Sequence, residues 1–265
     1  MSVAQTMSVA QNLYQNGYIT YMRTDSVNLS ELAIQNSKKY IEATFGANYT
    51  LPHGRQYKNK QANAQEAHEA IRPAYIDKTP DTVGLTGNDA RLYKLIWERT
   101  VASQMQEAII ETTVYSFTPE NNNTQIWQSR GEVIKFPGFM KLYNEGTDEE
   151  LDDEDGPINL PSLTKGEKAQ AKTLHGLQIF SKPPSRYTEA MLVKKLESEG
   201  IGRPSTYAPT ITTIIDRGYI EREEKKLKPT EIAFVVNDFL EKHFPEMMNY
   251  QFTANVENEF DEVAK

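Results

Sequence analysis

Apolar residues recur at helical spacing through the first third of the chain, in short β-type stretches through the middle, and at helical spacing again to the end. Val3, Met7, Ala10, Leu13 and Tyr14 share one face of a helix predicted over residues 3–16, and Gly17 stands where a left-handed cap is wanted. Residues 18–24, YITYMRT, are β-branched and aromatic and read as a short strand or extended segment. Ser30 caps a second helix with Ile34, Ile41 and Phe45 on one face and Gly46 past its end. A short helical run over 64–71 stops at Pro73, and a longer one over 88–105 turns Leu92, Leu95, Ile96 and Met105 to a core.

From about 109 to 182 the stretches TTVYSF, TQIWQS, EVIKFPGFMKLY and LQIFSK, separated by Pro, Gly and Asn, predict a β-rich region. The helical period returns after Pro183-Pro184, which marks a boundary. Residues 189–198 form an amphipathic helix, 200–202 a glycine turn, and 206–217 a second helix capped by Gly218, the order of a helix-turn-helix. Residues 219–227 supply two short strands like a wing, Thr230 caps a third helix running to Pro245, and a fourth starts at Ala254. The fold class is therefore α+β and multidomain: a helical part over 1–107, a β-rich part over 108–183, and a helical part resembling a winged helix over 184–265.

Composition adjusts this picture. The chain of 265 residues is 38% hydrophobic and 25% charged, as in globular proteins. It has no apolar run long enough for a membrane span and no signal-peptide pattern, so a cytoplasmic location is expected. The absence of cysteine excludes disulfides, thiolate catalysis and cysteine-bound zinc. A net charge of −8 speaks against a polyphosphate partner, but eight acidic residues crowd into 145–155 and the remainder is balanced. That acidic run reads as a solvated loop; Asp153-Glu154-Asp155 spells D-x-D, yet no strand precedes it to present carboxylates to a metal.

Three places could carry chemistry. In an extended segment Tyr21, Arg23 and Asp25 project from one face and Thr20, Met22 and Thr24 from the other. A phenol with a pKa near ~10 needs a cation beside it to act as a nucleophile. Arg23 can be that cation and can grip a phosphate bidentately, with Asp25 holding it in line. A surface Tyr–Arg pair is the plain alternative. His68 lies in AQEAHEAIRP with Arg72 four residues on, so a helix would stack the two and attract phosphate, although a lone histidine is more often structural than catalytic. In GIGRPSTY (200–207) two glycines permit close backbone approach, Ser205 and Thr206 open a helix favourable to phosphate, and Arg203 and Arg217 make a basic track. An ordinary capped turn is the alternative there.

Together these segments resemble the bacterial type IA DNA topoisomerases. GYITYMRTDS (17–26) looks like the family's active-site tyrosine motif, and AQEAHEAIRP, GIGRPSTYAPTITTIIDRGYI and MNYQFTANVENEFDEVA resemble further family motifs in the same order. Met22, after the tyrosine, is similar to the topoisomerase I branch. The resemblance implies that Tyr21 attacks a phosphate of single-stranded DNA to give a 5′-phosphotyrosine, that a strand passes and that the break reseals without ATP, relaxing negative supercoils. It implies that Arg23 stabilises charge on that phosphate, that His68 positions it, and that Arg203, Ser205, Thr206, Arg217 and, more weakly, Tyr207 contact DNA. Asp25 and Arg72 are expected to support. The β-rich part corresponds to the arch that lets the tyrosine part lift away. The family's Toprim domain, which supplies a glutamate acid/base and the Mg²⁺ ligands, has no counterpart here, nor do its C-terminal DNA-binding repeats. An excised central fragment is therefore expected, inactive alone, binding no Mg²⁺ itself, nucleoid-associated in the cytoplasm, without membrane or nucleotide partners. A non-catalytic single-strand-binding scaffold built on the helix-turn-helix is the rival reading, and a hydrolase using His68 a weaker one.

Overall fold

A computed structural model describes residues 1–57, 69–120, 124–144 and 160–263. The acidic run at 145–155 and His68 lie outside the described residues. Among the described residues helices predominate, with two small antiparallel sheets, an α+β arrangement. The chain divides into two compact units, Met1–Met105 with Arg186–Lys265, and Gln106–Ser185. The helical stretches read separately from the sequence as 1–107 and 184–265 thus share one unit.

In the first unit α1 (Val3–Gln15) opens with the Ser2 hydroxyl accepting from the Gln5 amide and buries Ala10 and Leu13. Gly17 ends the turn after it at φ +71°. α2 (Glu31–Phe45) begins where Ser30 Oγ accepts from the Ala33 amide, and it buries Ile34 and Ile41. α3 (Gly87–Ser103) supplies the centre of the core through Leu92, Tyr93, Trp97 and Val101. Tyr93 and Trp97 are buried without polar cost, because the Tyr93 hydroxyl donates to the Lys78 carbonyl at 2.7 Å and the Trp97 indole to the Ile76 carbonyl at 2.9 Å. Burial raises the Tyr93 phenol to about 12, helped by the charge of Asp77. Leu95, expected in the core, is exposed, since the buried stripe follows the aromatic residues beside it.

Two expectations for this part need correction. Residues 18–24 form no regular strand; a single antiparallel bridge joins Ile19 to Pro73. Nor are residues 69–71 helical. Their backbone is committed elsewhere: the Ala70 amide donates to the Asn28 carbonyl at 2.8 Å, and the Ala70 carbonyl accepts from the Thr20 hydroxyl at 2.8 Å. The remainder of the helix expected over 64–71 lies outside the described residues.

The same unit continues with α4 (Glu189–Ser198), capped by Thr188, and α5 (Tyr207–Asp216), joined through the glycine turn. β3 (Ile220–Glu223) and β4 (Lys226–Pro229) pair as the wing, a little later in sequence than expected. Leu227 and Ile211 are buried at the centre of this motif. α6 (Glu231–His243), α7 (Pro245–Met248) and α8 (Tyr250–Val263) complete it. α8 starts four residues before Ala254, the start expected from the sequence, and Ala254 is its buried contact. α1 packs against both α3 and α5. The Glu189 carboxylate also spans the unit, accepting from the Val3 amide at 2.7 Å and from Arg222 Nε at 2.6 Å.

The second unit is a hairpin of β1 (Ile109–Phe117) and β2 (Trp127–Phe136), with Ile110 opposite Ile134 and Phe117 opposite Trp127. The Tyr115 hydroxyl ties a following segment to β1, donating to the Pro161 carbonyl at 2.9 Å and accepting from the Leu163 amide at 3.0 Å. LQIFSK (177–182), expected as a strand, is not one: Leu177, Ile179 and Phe180 are exposed and no strand pairs with them among the described residues.

Candidate active site

The segment carrying Tyr21 is fixed from behind. Its neighbour Thr20 donates its amide to the Arg72 carbonyl at 2.9 Å and accepts from the Arg72 amide at 2.9 Å through Oγ1. The Ala74 amide donates to the Tyr18 carbonyl at 2.8 Å on the other side of the Ile19–Pro73 bridge. Met22 is buried and anchors the segment, whereas Tyr21 and Arg23, on either side of it, are both exposed. Exposure thus alternates over residues 21–23, whereas Thr24 and Asp25 are both half-buried and the segment bends at 22–23, so the extended alternation expected over 20–25 is not continued to Asp25. The Tyr21 ring is 40% exposed, open enough to meet a ligand. It rests edge-on against Tyr14, with ring centroids 5.2 Å apart and planes at 68°, which restricts its rotamers.

Arg23 lies on the wall of a groove of about 670 Å³ between α1 and α5, together with Ala208, Pro209, Thr212 and Thr213 from the helix that GIGRPSTY opens. The fold thereby brings the tyrosine motif beside that helix. Asp25, half-buried, is close enough for its charge to act on Tyr207. Burial is the main cause that raises the Tyr207 phenol, with Glu197, Glu257 and Asp25 adding and Arg203 opposing. Its hydroxyl points to the Gly202 carbonyl at 3.4 Å.

The glycine turn is built as its composition demands. Gly202 has φ +80°, and a Cβ there would stand 3.0 Å from Tyr207 Cε1. Thr206 Oγ1 accepts from the Arg203 amide at 2.8 Å, and Ser205 and Thr206 are exposed at the start of α5. Arg217 is exposed at its other end.

Of the candidate site arginines, Arg203 and Arg72 are held by carboxylates. Arg203 is paired with Asp261 of α8 (Nη2–Oδ2 2.7 Å, Nε–Oδ1 3.3 Å), stands 3.8 Å from Glu257, and donates to the Gly202 carbonyl at 2.7 Å. The bond to Asp261 raises the guanidinium's already high pKa, outweighing a lowering from burial. Arg72 grips Glu69 with both Nε (2.6 Å) and Nη2 (2.9 Å), and Nη1 donates to the Pro73 carbonyl at 2.9 Å. Glu69 in turn accepts from the Ser30 amide at 2.7 Å, so one carboxylate joins the Arg72 loop to the start of α2. Partial burial pushes the Glu69 carboxyl up, but the bonds from Arg72 and Ser30 outweigh it and the net direction is below the ordinary value. Arg72 is thus a strut behind the Tyr21 segment. Its expected stacking on His68 has no helix to rest on among the described residues.

Thr20, Tyr14, Glu69, Glu257 and Asp261 escaped the sequence reading. The last two had a signal, since they stand four apart inside MNYQFTANVENEFDEVA and so share a helix face. Among the described residues no group of three or more His, Asp or Glu side chains could hold a metal ion, and no helix is long and apolar enough to cross a membrane.

Comparison with known proteins places these features in a family context. The family model described as DNA topoisomerase matches residues 1–265. DNA topoisomerase 1 of Synechococcus elongatus is 47% identical over 266 residues, covering 100% of this chain and 30% of that protein. DNA topoisomerase 1 of Mycolicibacterium smegmatis is 46% identical over 270 residues, covering 99% of this chain and 29% of that protein. The structure of full-length topoisomerase I from Thermotoga maritima superposes with a TM-score of 0.77 at 32% identity, over 99% of this chain and 43% of that one. The chain spans about three-tenths of the length of the curated relatives it matches.

Proposed function

This chain belongs to the DNA topoisomerase family, and from that premise we propose that it carries the nucleophile of a type IA strand-cleaving reaction. The observation that carries the proposal is the joint exposure of Tyr21 and Arg23 on a segment whose backbone is pinned by Thr20 and whose Met22 is buried. Tyr21 Oη attacks the phosphorus of a backbone phosphodiester in single-stranded DNA. The bond from phosphorus to the 3′-oxygen breaks, the phenolic proton leaves, and the 3′-oxygen takes up a proton as it departs. A 5′-phosphotyrosine remains. Because one phosphodiester is exchanged for another, the reverse attack by the 3′-hydroxyl reseals the strand without ATP.

Arg23 offers the developing charge on the phosphate a fixed cation. Ser205, Thr206 and Arg217 line the approach along α5, and Arg203 joins them when it exchanges its carboxylate partner for a phosphate. His68 is proposed to help position the scissile phosphate. The magnesium expected from the resemblance has no ligand set among the described residues, so no step here is routed through it. We place its ligands, like the glutamate acid/base, in the length of the relatives that this chain does not cover. The chain alone is accordingly proposed to bind single strands weakly at low salt and to relax no supercoils.

The test is a denaturant trap. A labelled single strand is incubated with Mg²⁺ and the chain carried within a polypeptide of its relatives' full length, then quenched. Label retained on protein through a 5′-phosphate supports the proposal; hydrolysed ends, or binding without a trapped adduct, would overturn it in favour of a hydrolase or a scaffold.

A further inference from the structure

We infer that Tyr14 is a positioning residue for the attack, its ring confining the Tyr21 phenol to one rotamer; the inference rests on the reading of Tyr21 as the nucleophile. The bonds through Thr20 and the burial of Met22 fix the backbone on either side of Tyr21, and so fix where its Cβ points. Beyond Cβ two torsions remain, and a change of χ1 well swings the hydroxyl through a wide arc. Nothing polar restrains them, since among the described residues the Tyr21 side chain enters no hydrogen bond. A reacting group misplaced by about 1 Å can lose about a hundredfold in rate, so an exposed nucleophile gains from any contact that confines it. That contact is the Tyr14 ring, 5.2 Å from the Tyr21 ring between centroids with planes at 68°, close to the arrangement in which the positive edge of one ring meets the negative face of the other.

Tyr14 can hold its neighbour because it is itself held. It lies in the last turn of α1 beside Leu13, which is buried. Asn12 Nδ2 donates to Asp89 Oδ2 of α3 at 2.7 Å, and Asn16 Nδ2 donates back to the Asn12 carbonyl at 2.8 Å. The chain then reverses: the Gly17 amide donates to the Tyr14 carbonyl and the Tyr18 amide to the Leu13 carbonyl, both at 2.9 Å, with Gly17 at φ +71°. This reversal sets the Tyr14 ring against one seven residues later. Tyr14 is 42% exposed, and its hydroxyl enters no hydrogen bond among the described residues. Neither the core nor a polar network therefore accounts for an aromatic residue at this place.

The test compares ring-less and ring-keeping variants with the parent in a polypeptide of the relatives' full length. Tyr14→Leu and Tyr14→Gln both remove the ring and keep helix propensity, and circular dichroism confirms which of them is folded. Single-turnover formation of the denaturant-resistant adduct is measured beside non-covalent single-strand affinity, and 3-fluorotyrosine at position 21 reports its ring by fluorine NMR without DNA. The ring-less variant is expected to form adduct about three- to tenfold more slowly, the worth of an edge-to-face contact, while single-strand affinity holds and the fluorine resonance moves toward that of free fluorotyrosine. Tyr14→Phe should restore both rate and resonance. A ring-less variant that forms adduct at the parent's rate, or leaves the resonance unmoved, overturns the inference and leaves Tyr21 standing as nucleophile. Tyr14→Phe as slow as the ring-less variant overturns it in favour of the Tyr14 hydroxyl. A parent that traps no adduct overturns both the inference and the reading beneath it.

Discussion

Thr20 and Arg72 exchange two hydrogen bonds: the Thr20 amide donates to the Arg72 carbonyl at 2.9 Å, and the Arg72 amide donates to Thr20 Oγ1 at 2.9 Å. Because Thr20 precedes Tyr21, this exchange sets the direction in which the phenol leaves the backbone. A second device, the Arg72 grip on Glu69, stiffens the same loop. The nucleophile of the proposed reaction thus depends on residues about fifty positions away, which act through its neighbour Thr20.

Thr20→Val keeps the shape and removes the hydroxyl that serves both Ala70 and Arg72. Leaving those half-buried backbone groups unpaired costs about 1–3 kcal/mol. Urea unfolding should show the stability fall by that amount, as a lower midpoint with an unchanged slope, and amide exchange near Tyr21 should quicken. Wild-type stability in the variant would contradict the pinning.

Asp261→Asn tests whether Arg203 is held back from DNA by its own chain. The variant keeps an acceptor near Nη2 but removes the charge that competes with phosphate. Single-strand binding should tighten, and Arg203→Ala should weaken it and flatten the dependence of log K on log salt by about one. Unaltered affinity in both variants would mean that Arg203 is only a clasp between the glycine turn and α8.

Glu69 predicts a pH effect. Its folded-state carboxyl lies below the ordinary value of 4.5, so its stabilising contribution is present above that value and is lost as pH falls through it toward the folded one. Glu69→Gln should therefore be less stable than the parent at neutral pH, with the gap closing below pH 4.5. Thermal melts across that range read the outcome, and a gap independent of pH would contradict the assignment.

Gly202→Ala places a methyl where φ is +80° and the Tyr207 ring is 3.0 Å away. Left-handed backbone alone costs an L-residue about 1–2 kcal/mol. A fall in melting temperature with weakened single-strand binding is expected; a neutral variant would show that the turn tolerates a side chain.

Helix positions were legible because caps and apolar stripes are local: Gly17, Ser30 and Gly218 mark ends that the fold honours. The exposure of Tyr21 and Arg23 on either side of a buried Met22 was legible from alternation. What escaped depends on partners distant in sequence. Residues 69–71 have helical composition, yet Asn28 and Thr20 take their backbone groups. LQIFSK has strand composition, but composition does not supply a neighbouring strand. The engagement of Arg203 required knowing that α8 returns past the glycine turn, which no spacing within GIGRPSTY reveals.

The central claim is that the Tyr21 hydroxyl is the attacking group. It is tested most directly by Tyr21→Phe in a polypeptide of the relatives' full length, measuring denaturant-resistant DNA–protein adduct alongside non-covalent single-strand affinity. The variant is predicted to lose the adduct entirely while binding as the parent does, since it removes one oxygen from an exposed ring. An adduct that persists at the parent's level would assign the attack to another residue and contradict the account.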